Sequence, residues 1–382
     1  MQAADASPGA PPRFLFVPVS GPTGMGEYAR CLALAHAVRG RWPAAAVHFL
    51  LSEQAPYARS TPYEYTLFPA SPTLHDHEGR AAIRAFRPDV VVFDNAGRKG
   101  QLAAAHALGA GVVYVSSRWR PRTKAFRLRW LPYLDEHWIP YPEFVGGSLT
   151  RFERLKQRLM GRPRVRFLDV MLPVVTPDTA DAVLARFGLT RDAFALVVPG
   201  GGTPHPNASA NAQRAPAIYD VVAMRLAAAG HEVAVAGRTA SGGGATQDSS
   251  AAPDTAPTLQ GLATSAVRWC GRLPPHELAS LLGAARVVVT NGGDTLLQSI
   301  ACGHATVAAP VAADQPARLA KCAARGGVVA VELEGTALAD AALGLLADDA
   351  RRERLAAEAR AYGLTSGIAT ALDAFGALLG RR

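Results

Sequence analysis

The sequence predicts an α/β protein with two domains, each built on a parallel β-sheet covered by helices on both faces. Three observations predict this class. Short β-branched runs alternate with helical patterns, the alternation starts again after Pro173, and both halves place glycine turns between a strand and a helix. The chain has 382 residues, 49% of them hydrophobic, which is enough for two cores. Two such domains facing a cleft would bind ligand at the carboxyl ends of their strands.

The first half contains four apolar strand patterns and three helical ones. It begins with the strand Phe14–Val19, the glycine loop Ser20–Gly26 and a helix over Glu27–Arg39. The remaining predicted elements are the strands Val47–Leu51, Asp89–Phe93 and Val112–Ser116 and the helices Ala81–Phe86 and Gln101–Leu108. Residues 1–12 are small and polar and carry no secretory signal, so they are expected to be disordered, and the N-terminal domain is expected to span residues 13–173.

The second half repeats the plan over a predicted domain of residues 174–364, entered through a linker at Val174–Asp178. The predicted elements are the helices Asp181–Phe187, Ala215–Ala229 and Pro275–Ala284 and the strands Phe194–Val198, Glu232–Ala236, Ala266–Trp269 and Arg286–Thr290. Residues 239–257 are almost entirely Ser, Gly, Ala, Thr and Pro, which predicts a disordered insertion. The tail Asp348–Arg382 is predicted to be helical, with residues 365–382 as a C-terminal helix that packs back on the N-terminal domain.

The segment from Thr290 to Gln315 is the most informative part of the chain. The strand that ends at Thr290 is followed by Asn291-Gly292-Gly293 and then by a helix capped at Asp294 or Thr295. The helix closes at Gly303, and a second strand runs from Ala305 to Ala309. A glycine pair at a helix N-terminus predicts open backbone N–H groups and a phosphate site. The acid and amide of Asp314-Gln315 suit sugar hydroxyls.

This segment resembles the donor-binding signature of inverting GT-B glycosyltransferases, and its spacing fits without a gap. The resemblance implies a GT-B fold of two Rossmann-like domains, with a nucleotide-diphosphate sugar held by the C-terminal one. Two positions depart from the pattern. Thr290 stands where the plant-type enzymes carry a phosphate-contacting His, and Gln298 stands where most members carry a ribose-binding Glu. A glutamine can still bond a ribose hydroxyl.

A second glycine loop, Gly200-Gly201-Gly202, also lies between a strand and a helix. It resembles the loop that borders the diphosphate in the lipid II N-acetylglucosaminyltransferase and UDP-glycosyltransferase group; the alternative is an ordinary strand-to-helix turn. The donor-binding residues that these resemblances imply are Gly200, Gly201, Gly202, Thr203, Gly271, Arg272, Leu273, Thr290, Asn291, Gly292, Gly293, Asp294, Thr295, Gln298, Asp314 and Gln315.

The catalytic base is expected in the first half, where two carboxylates compete. Residues 24–35 resemble a motif of the sugar-nucleotide hydrolase of pseudaminic acid synthesis, with Glu27 in place of that family's His. Glu27 is either a general base kept ionised by a helix N-terminus or a residue that only stabilises the helix. Asp94, at the end of a strand, is either the rival base or part of a turn. Residues expected on the acceptor side are Gly24, Gly26, Ser117 and Arg118.

The net charge of +9 is concentrated in two basic stretches, residues 118–129 and 151–166. Basic residues interleaved with aromatic ones fit an anionic membrane face, an anionic or lipid-linked substrate, or a solvated helix face. Nucleic acid is not expected as a partner, because no RNA- or DNA-binding motif accompanies the charge. The four cysteines show no paired spacing, which predicts a cytoplasmic protein. The basic stretches add the expectation that it is peripheral to the inner face of the cytoplasmic membrane.

Together these features predict an inverting, metal-independent glycosyltransferase of the hexosyltransferase type, acting in cell-surface glycan or glycolipid synthesis. Its substrate would be a nucleotide-diphosphate sugar such as a UDP-sugar, and no cofactor is expected. No metal site is expected either, because the sequence lacks an Asp-x-Asp ligand pair. The alternatives are a nucleotide-sugar hydrolase that uses water as acceptor, and a non-catalytic protein that binds sugar nucleotides or nucleic acid.

Overall fold

The computed structural model describes residues 10–22, 25–200, 210–238 and 266–381. The chain divides into two compact units. The first unit contains the chain up to Asp169 together with the residues from Gly367 onward, and the second unit is Val170–Ser366. The predicted disordered stretches, residues 1–12 and 239–257, lie outside the described residues, apart from residues 10–12.

The first unit is built on a parallel sheet. Its strands are β1 (Arg13–Pro18), β2 (Ala46–Ser52), β3 (Glu64–Phe68), β4 (Val90–Asp94), β5 (Gly111–Val115), β6 (Glu136–Ile139) and β7 (Arg164–Phe167). Their order in the sheet is β3-β2-β1-β4-β5-β6-β7. The central strands β1, β4 and β5 are buried apolar runs, as expected of a parallel sheet with both faces covered.

Helices connect these strands. They are α1 (Gly26–Arg41), α2 (Asp76–Phe86), α3 (Lys99–Ala107), α4 (Trp119–Ala125), α5 (Glu143–Gly146) and α6 (Arg151–Met160). The sequence patterns predicted α1 to α3 within a few residues, apart from the early start of α2. They gave no prediction for α4 to α6 or for β3, β6 and β7, where the apolar residues alternate with arginines, prolines and polar residues.

The second unit repeats the design with a smaller sheet. Its strands are β8 (Phe194–Val198), β9 (Glu232–Ala236), β10 (Val267–Gly271), β11 (Val287–Asn291), β12 (Thr306–Ala309) and β13 (Val328–Ala330), in the order β10-β9-β8-β11-β12-β13 and all parallel. Its helices are α7 (Pro177–Phe187), α8 (Ala210–Ala228), α9 (Pro275–Ala284), α10 (Asp294–Ala301), α11 (Gln315–Ala323), α12 (Gly335–Ala347) and α13 (Asp349–Arg360). Apolar side chains from both faces of the sheet form two cores, one against α8 and α12 and one against α7 and α9.

The C-terminal tail, predicted to be helical over Asp348–Arg382, forms two helices with a break between them. It breaks after α13, and Gly363 adopts a left-handed φ of 61° that helical residues do not take. The chain resumes as α14 (Gly367–Leu379), which belongs to the first unit. There the ring of Phe375 lies 5.3 Å from that of Phe14 and 5.1 Å from that of Trp138, so the last helix completes the core of the first unit.

Candidate functional site

Four strands of the second unit end in glycine at the same edge of the sheet. Gly271 is the last residue of β10, and the other three glycines come just after β8, β9 and β11. We call the set of Gly200, Gly237, Gly271 and Gly292 the glycine edge. Hydrogen bonds join its turns in pairs. The Gly237 N–H donates to the Gly271 carbonyl over 2.6 Å, and the Asn291 amide donates to the Pro199 carbonyl over 2.7 Å. The edge is therefore a continuous surface of backbone at the carboxyl ends of the strands, where parallel sheets bind ligands.

Gly200 cannot be replaced by a larger residue without disturbing this edge. Its φ of 124° lies in a region that residues with a Cβ rarely adopt, and a Cβ there would stand 2.6 Å from the Asn291 side-chain nitrogen. The absence of a side chain thus lets the turn after β8 touch the turn after β11. The neighbouring predicted residues Gly201, Gly202 and Thr203 lie outside the described residues.

The turn before α10 differs from the expected phosphate loop. The Gly292 N–H donates to the Ala309 carbonyl over 3.1 Å, and the Gly293 N–H donates to the Asn291 side-chain oxygen over 2.7 Å. The expectation that both glycine amides are open is therefore wrong. The helix cap is Gly293 rather than Asp294 or Thr295. Since no described side chain caps α10, the amides of its first turn are the groups at this end that can hold an anion.

Asp314 and Gln315 lie beside this turn, as the resemblance implied. A Cβ added to Gly292 would stand 3.0 Å from Cβ of Gln315. The Gln315 side-chain oxygen accepts from the Val311 N–H over 2.7 Å, so this oxygen is already bonded within its own loop. The Asp314 carboxylate is 66% exposed and can accept hydroxyl groups.

Arg318 connects the two parts of this site, and the sequence analysis did not include it. Its side chain is 7% exposed and donates to the Gly292 carbonyl over 2.8 Å and to the Asp314 carboxylate over 2.9 Å. A buried guanidinium that bonds a turn carbonyl and an acidic side chain fixes their separation. The signal in the sequence was an arginine one helical turn after Asp314, which is also typical of an ordinary surface pair.

Thr290 and Gln298, the two departures from the signature, both have partners within the fold. Thr290 is fully buried, and its hydroxyl donates to the Val198 carbonyl over 3.0 Å, which ties β11 to β8. The Gln298 amide nitrogen donates to the Met171 carbonyl over 3.0 Å. Its side-chain oxygen has no partner among the described residues and is the part of Gln298 that can meet a ligand.

The other predicted donor residues are spread over the same edge. Gly271 has a left-handed φ of 64°, Arg272 is exposed and Leu273 packs against the core near α9. Asp294 and Thr295 form the half-buried first turn of α10.

The first unit carries a cluster of polar side chains at the corresponding edge of its sheet. Glu27, in the first turn of α1, is 7% exposed. Its Oε1 accepts from the Asn95 amide over 2.9 Å and from the Arg118 guanidinium over 2.8 Å. Glu27, Asn95, Ser117 and Arg118 follow β1, β4 and β5, and we call them the side-chain edge. The carboxylate of Glu27 is therefore held by the strand-end loops rather than by the helix that carries it.

Asn95 organises this cluster. Its φ of 52° is left-handed, a conformation that asparagine tolerates better than most residues. Its amide nitrogen also donates to the Ser117 hydroxyl over 2.6 Å, and its oxygen accepts the Ser117 N–H over 3.0 Å. These bonds fix the loops after β4 and β5 against each other. Of the predicted acceptor-side residues, Ser117 and Arg118 belong to the cluster, Gly26 begins α1, and Gly24 lies outside the described residues.

The rival base Asp94 occupies a different environment. It is 1% exposed, and its two oxygens accept from the Nε and a terminal nitrogen of Arg30 over 2.9 and 3.0 Å. A buried carboxylate held by a two-pronged guanidinium is stabilised as an anion and is shielded from a substrate hydroxyl. This geometry makes Asp94 a structural partner of α1 and leaves Glu27 as the carboxylate of the cluster.

Ser116 points away from the cluster and into the core. Its hydroxyl lies 2.7 Å from Nε2 of His137, which is fully buried. Burial, together with the smaller effect of the Arg122 charge, lowers the pKa of His137 to about 3, so this imidazole is neutral at physiological pH. Ser116 therefore belongs to the packing of β5 and β6.

Comparisons with known proteins agree with the two-sheet architecture. No family model matches the sequence, and no curated protein matches it. Solved structures do match. The chain is similar to CalG4, the calicheamicin glycosyltransferase, with 19% identity, a TM-score of 0.53 and coverage of 97% of this chain and 99% of that one. It is also similar to the spinosyn forosaminyltransferase SpnP, with 16% identity, a TM-score of 0.56 and coverage of 96% and 99%.

A third similar structure is the glycosyltransferase SnogD from Streptomyces nogalater, with 17% identity, a TM-score of 0.55 and coverage of 96% and 99%. With two parallel α/β sheets matched over nearly the whole length of these enzymes, the chain has the GT-B fold. Among the described residues, every helix is too short or too polar to cross a bilayer.

Proposed function

We propose that this chain is an inverting, metal-independent glycosyltransferase that moves a sugar from a nucleotide-diphosphate donor to an acceptor hydroxyl. The observation that carries the proposal is that the strands of one GT-B unit are followed by glycine turns, whereas the other unit presents the Glu27 carboxylate at the equivalent edge of its own sheet. CalG4, SpnP and SnogD are glycosyltransferases, which supports the same reaction class, although a putative UDP-N-acetylglucosamine 2-epimerase is also similar in structure.

Glu27 is the general base in this proposal. Asn95 and Arg118 both bond the same oxygen, Oε1, so Oε2 is the atom that takes the proton of the acceptor hydroxyl. The hydroxyl oxygen then attacks the anomeric carbon in one displacement, and the bond to the diphosphate breaks on the opposite side. A single displacement inverts the anomeric configuration. Glu27 lies in the first turn of α1, and its carboxylate pairs with the Arg118 guanidinium over 2.8 Å.

The second unit holds the donor in this proposal. The amides of the first turn of α10 bind the diphosphate and stabilise the charge that develops as it leaves. Asp314, fixed by Arg318, accepts sugar hydroxyls, and the side-chain oxygen of Gln298 accepts a ribose hydroxyl. Charge on the leaving group is balanced by the helix terminus, so the step as proposed uses no metal ion. The donor is a UDP-sugar by the resemblance, and a hexose is the transferred group.

The acceptor is proposed to be anionic or lipid-linked. Arg118 is 68% exposed although it bonds Glu27, so one face of its guanidinium remains open to an anionic group of the acceptor. An acceptor of this kind fits cytoplasmic synthesis of a cell-surface glycan or glycolipid, with peripheral contact at the inner face of the cytoplasmic membrane.

A nucleotide-sugar screen tests the proposal. The purified chain is heated with UDP-, dTDP- and GDP-sugars, and the expected result is a rise in melting temperature with one class. Sugar release from that donor is then followed with and without a panel of acceptor alcohols. Release that needs an acceptor supports the transferase, and equal release without one identifies a hydrolase. No melting shift with any nucleotide-sugar would overturn both enzymatic functions.

A further inference from the structure

One face of α6 exposes large apolar side chains to solvent. Phe152, Leu155 and Leu159 are 76%, 52% and 75% exposed. Their spacing of three and four residues places them in one stripe along the helix. A soluble surface seldom carries such a stripe on a single short helix, and contiguous exposed apolar area marks a site of contact.

Cations surround this stripe. The segment of residues 118–166, which we call the basic segment, contains thirteen Lys and Arg against four Asp and Glu. Its excess of nine equals the net charge of +9 of the whole chain, so the remaining residues are electrically balanced. The positive charge of the protein is therefore a local property of the region that contains α6.

Three of the four acids of this segment form ion pairs. Glu153 pairs with Arg122, Glu136 with Arg166, and Asp135 with Arg162. Several other cations have no acidic partner among the described residues; these are Arg120, Lys124, Arg127, Arg129, Arg151, Arg154, Lys156, Arg158 and Arg164. Arg151, Arg154 and Arg158 of α6 are exposed along one flank of the apolar stripe.

The stripe sits on a rigid support. On the opposite face of α6, Glu153 is buried and accepts two bonds from Arg122, which also donates to the carbonyls of Gly146 and Ser148. The guanidinium carbon of Arg122 lies 5.7 Å from the ring centre of Trp119, whose side chain is 61% exposed. Trp119 is thereby placed close to the start of α6, and an exposed tryptophan is a common anchor at a membrane interface.

We propose that α6, with Trp119, docks this protein on an anionic lipid bilayer. Phe152, Leu155 and Leu159 enter the boundary between headgroups and acyl chains, and the arginines beside them contact lipid phosphates. Charge complementarity indicates what binds here. Nine cations without acidic partners among the described residues match a dense anionic surface such as a layer of acidic lipid headgroups. Aliphatic side chains exposed beside the cations favour lipid over nucleic acid, whose bases stack on aromatic rings and leave leucines without a role. This inference does not depend on sugar transfer.

Vesicle flotation with the full chain tests the docking surface. The vesicles are phosphatidylcholine alone and phosphatidylcholine mixed with phosphatidylglycerol, each at low and high salt. The expected result is binding to the mixed vesicles that weakens at high salt, and little binding to phosphatidylcholine. The triple variant F152S/L155S/L159S should lower the partition coefficient at least about tenfold, and each of R151E, R154E and R158E should lower it by about fivefold or more.

Matched variants separate the surface from general effects of polarity and charge. Leu74→Ser removes a leucine that is 64% exposed elsewhere in the first unit, and Arg59→Glu reverses an exposed arginine there; neither should change vesicle binding. Because the substituted side chains are exposed, melting temperatures should stay unchanged. Absence of binding to anionic vesicles overturns the proposal, as does binding that the triple variant leaves intact. Retention of an RNA homopolymer that depends on the arginines but not on the apolar residues, without vesicle binding, would instead assign the surface to nucleic acid.

Discussion

The glycine edge and the side-chain edge occupy equivalent places in their sheets but are built from different chemistry. In the second unit the strands end in residues without side chains, and the groups presented are backbone amides and carbonyls. In the first unit the segments that follow the strands carry Glu27, Asn95, Ser117 and Arg118, which bond one another. Backbone approaches a diphosphate closely and carries no proton that titrates, whereas a carboxylate can take one. In the proposed reaction, one edge binds the donor and the other takes the proton.

The largest effect is expected on the stability of the protein, at Asp94, which lies between the side-chain edge and the core. The change Asp94→Asn leaves the buried Arg30 charge without its partner, and the free energy of unfolding should fall by about 3–5 kcal/mol. Urea denaturation measures the loss. The double variant R30M/D94L, which removes both charges, should recover most of it. An Asp94→Asn protein of normal stability that has lost turnover would show that Asp94 is the base and Glu27 is not.

Glu27→Gln tests the chemistry of the side-chain edge. Glutamine keeps the shape and the bond from Arg118 but cannot take a proton, so turnover should fall roughly 100-fold or more. Donor affinity should be nearly unchanged, because the donor is assigned to the other edge. Steady-state kinetics and calorimetry measure the two quantities. Normal turnover in this variant would mean that the reaction does not use Glu27 as a base.

Gly293→Ala tests the turn before α10, next to Gly292 of the glycine edge, without touching a side chain that could do chemistry. The added Cβ would stand 2.6 Å from the Asn291 oxygen that holds the Gly293 amide, so the turn before α10 must shift. Donor affinity should fall by about tenfold, or about 1.4 kcal/mol. The matched control is Gly283→Ala, where a Cβ meets nothing within 4 Å. Equal affinity in both variants would remove the diphosphate from this turn.

The smallest effect is expected at Gln298, whose amide nitrogen is already committed to Met171. Gln298→Leu should weaken donor binding by about 1 kcal/mol through the loss of one hydrogen bond to the ribose. It should also lower stability slightly, because the Met171 carbonyl loses its donor. Calorimetry and thermal unfolding on the same preparation distinguish the two effects. Unchanged donor affinity with lowered stability would make Gln298 a purely structural residue.

The two parallel α/β sheets followed from local sequence features, and the GT-B fold followed from the resemblance of the segment Thr290 to Gln315. Valine-rich runs such as β4 and β11 are long and apolar enough to be buried strands, and the glycines after them mark the turns. The patterns were weaker in the basic segment, where β6 is only four residues long and α4 and α6 are rich in arginine. The apolar residues of α6 recur at helical spacing, but they face solvent rather than the core.

The candidate site was predictable in position but not in its hydrogen bonds. The turn Asn291-Gly292-Gly293 predicted a helix N-terminus with open amides. The Gly292 and Gly293 amides instead donate to the Ala309 carbonyl and to the Asn291 side-chain oxygen. Arg30 and Arg318 were missed because their partners are distant along the chain. Arg30 bonds Asp94, and Arg318 bonds the Gly292 carbonyl. Sequence spacing reports neighbours within an element, whereas these pairs are created by the sheet and its packing.

The return of α14 to the first unit has a consequence for the order in which this protein is made. Phe375, from the end of the chain, is fully buried against Phe14, from the beginning. The whole second unit therefore leaves the ribosome before α14, the helix that completes the core of the first unit. The second unit is continuous in sequence and can close as soon as it emerges, while the first must wait with apolar surface exposed. During synthesis the unit translated second is the one that finishes first.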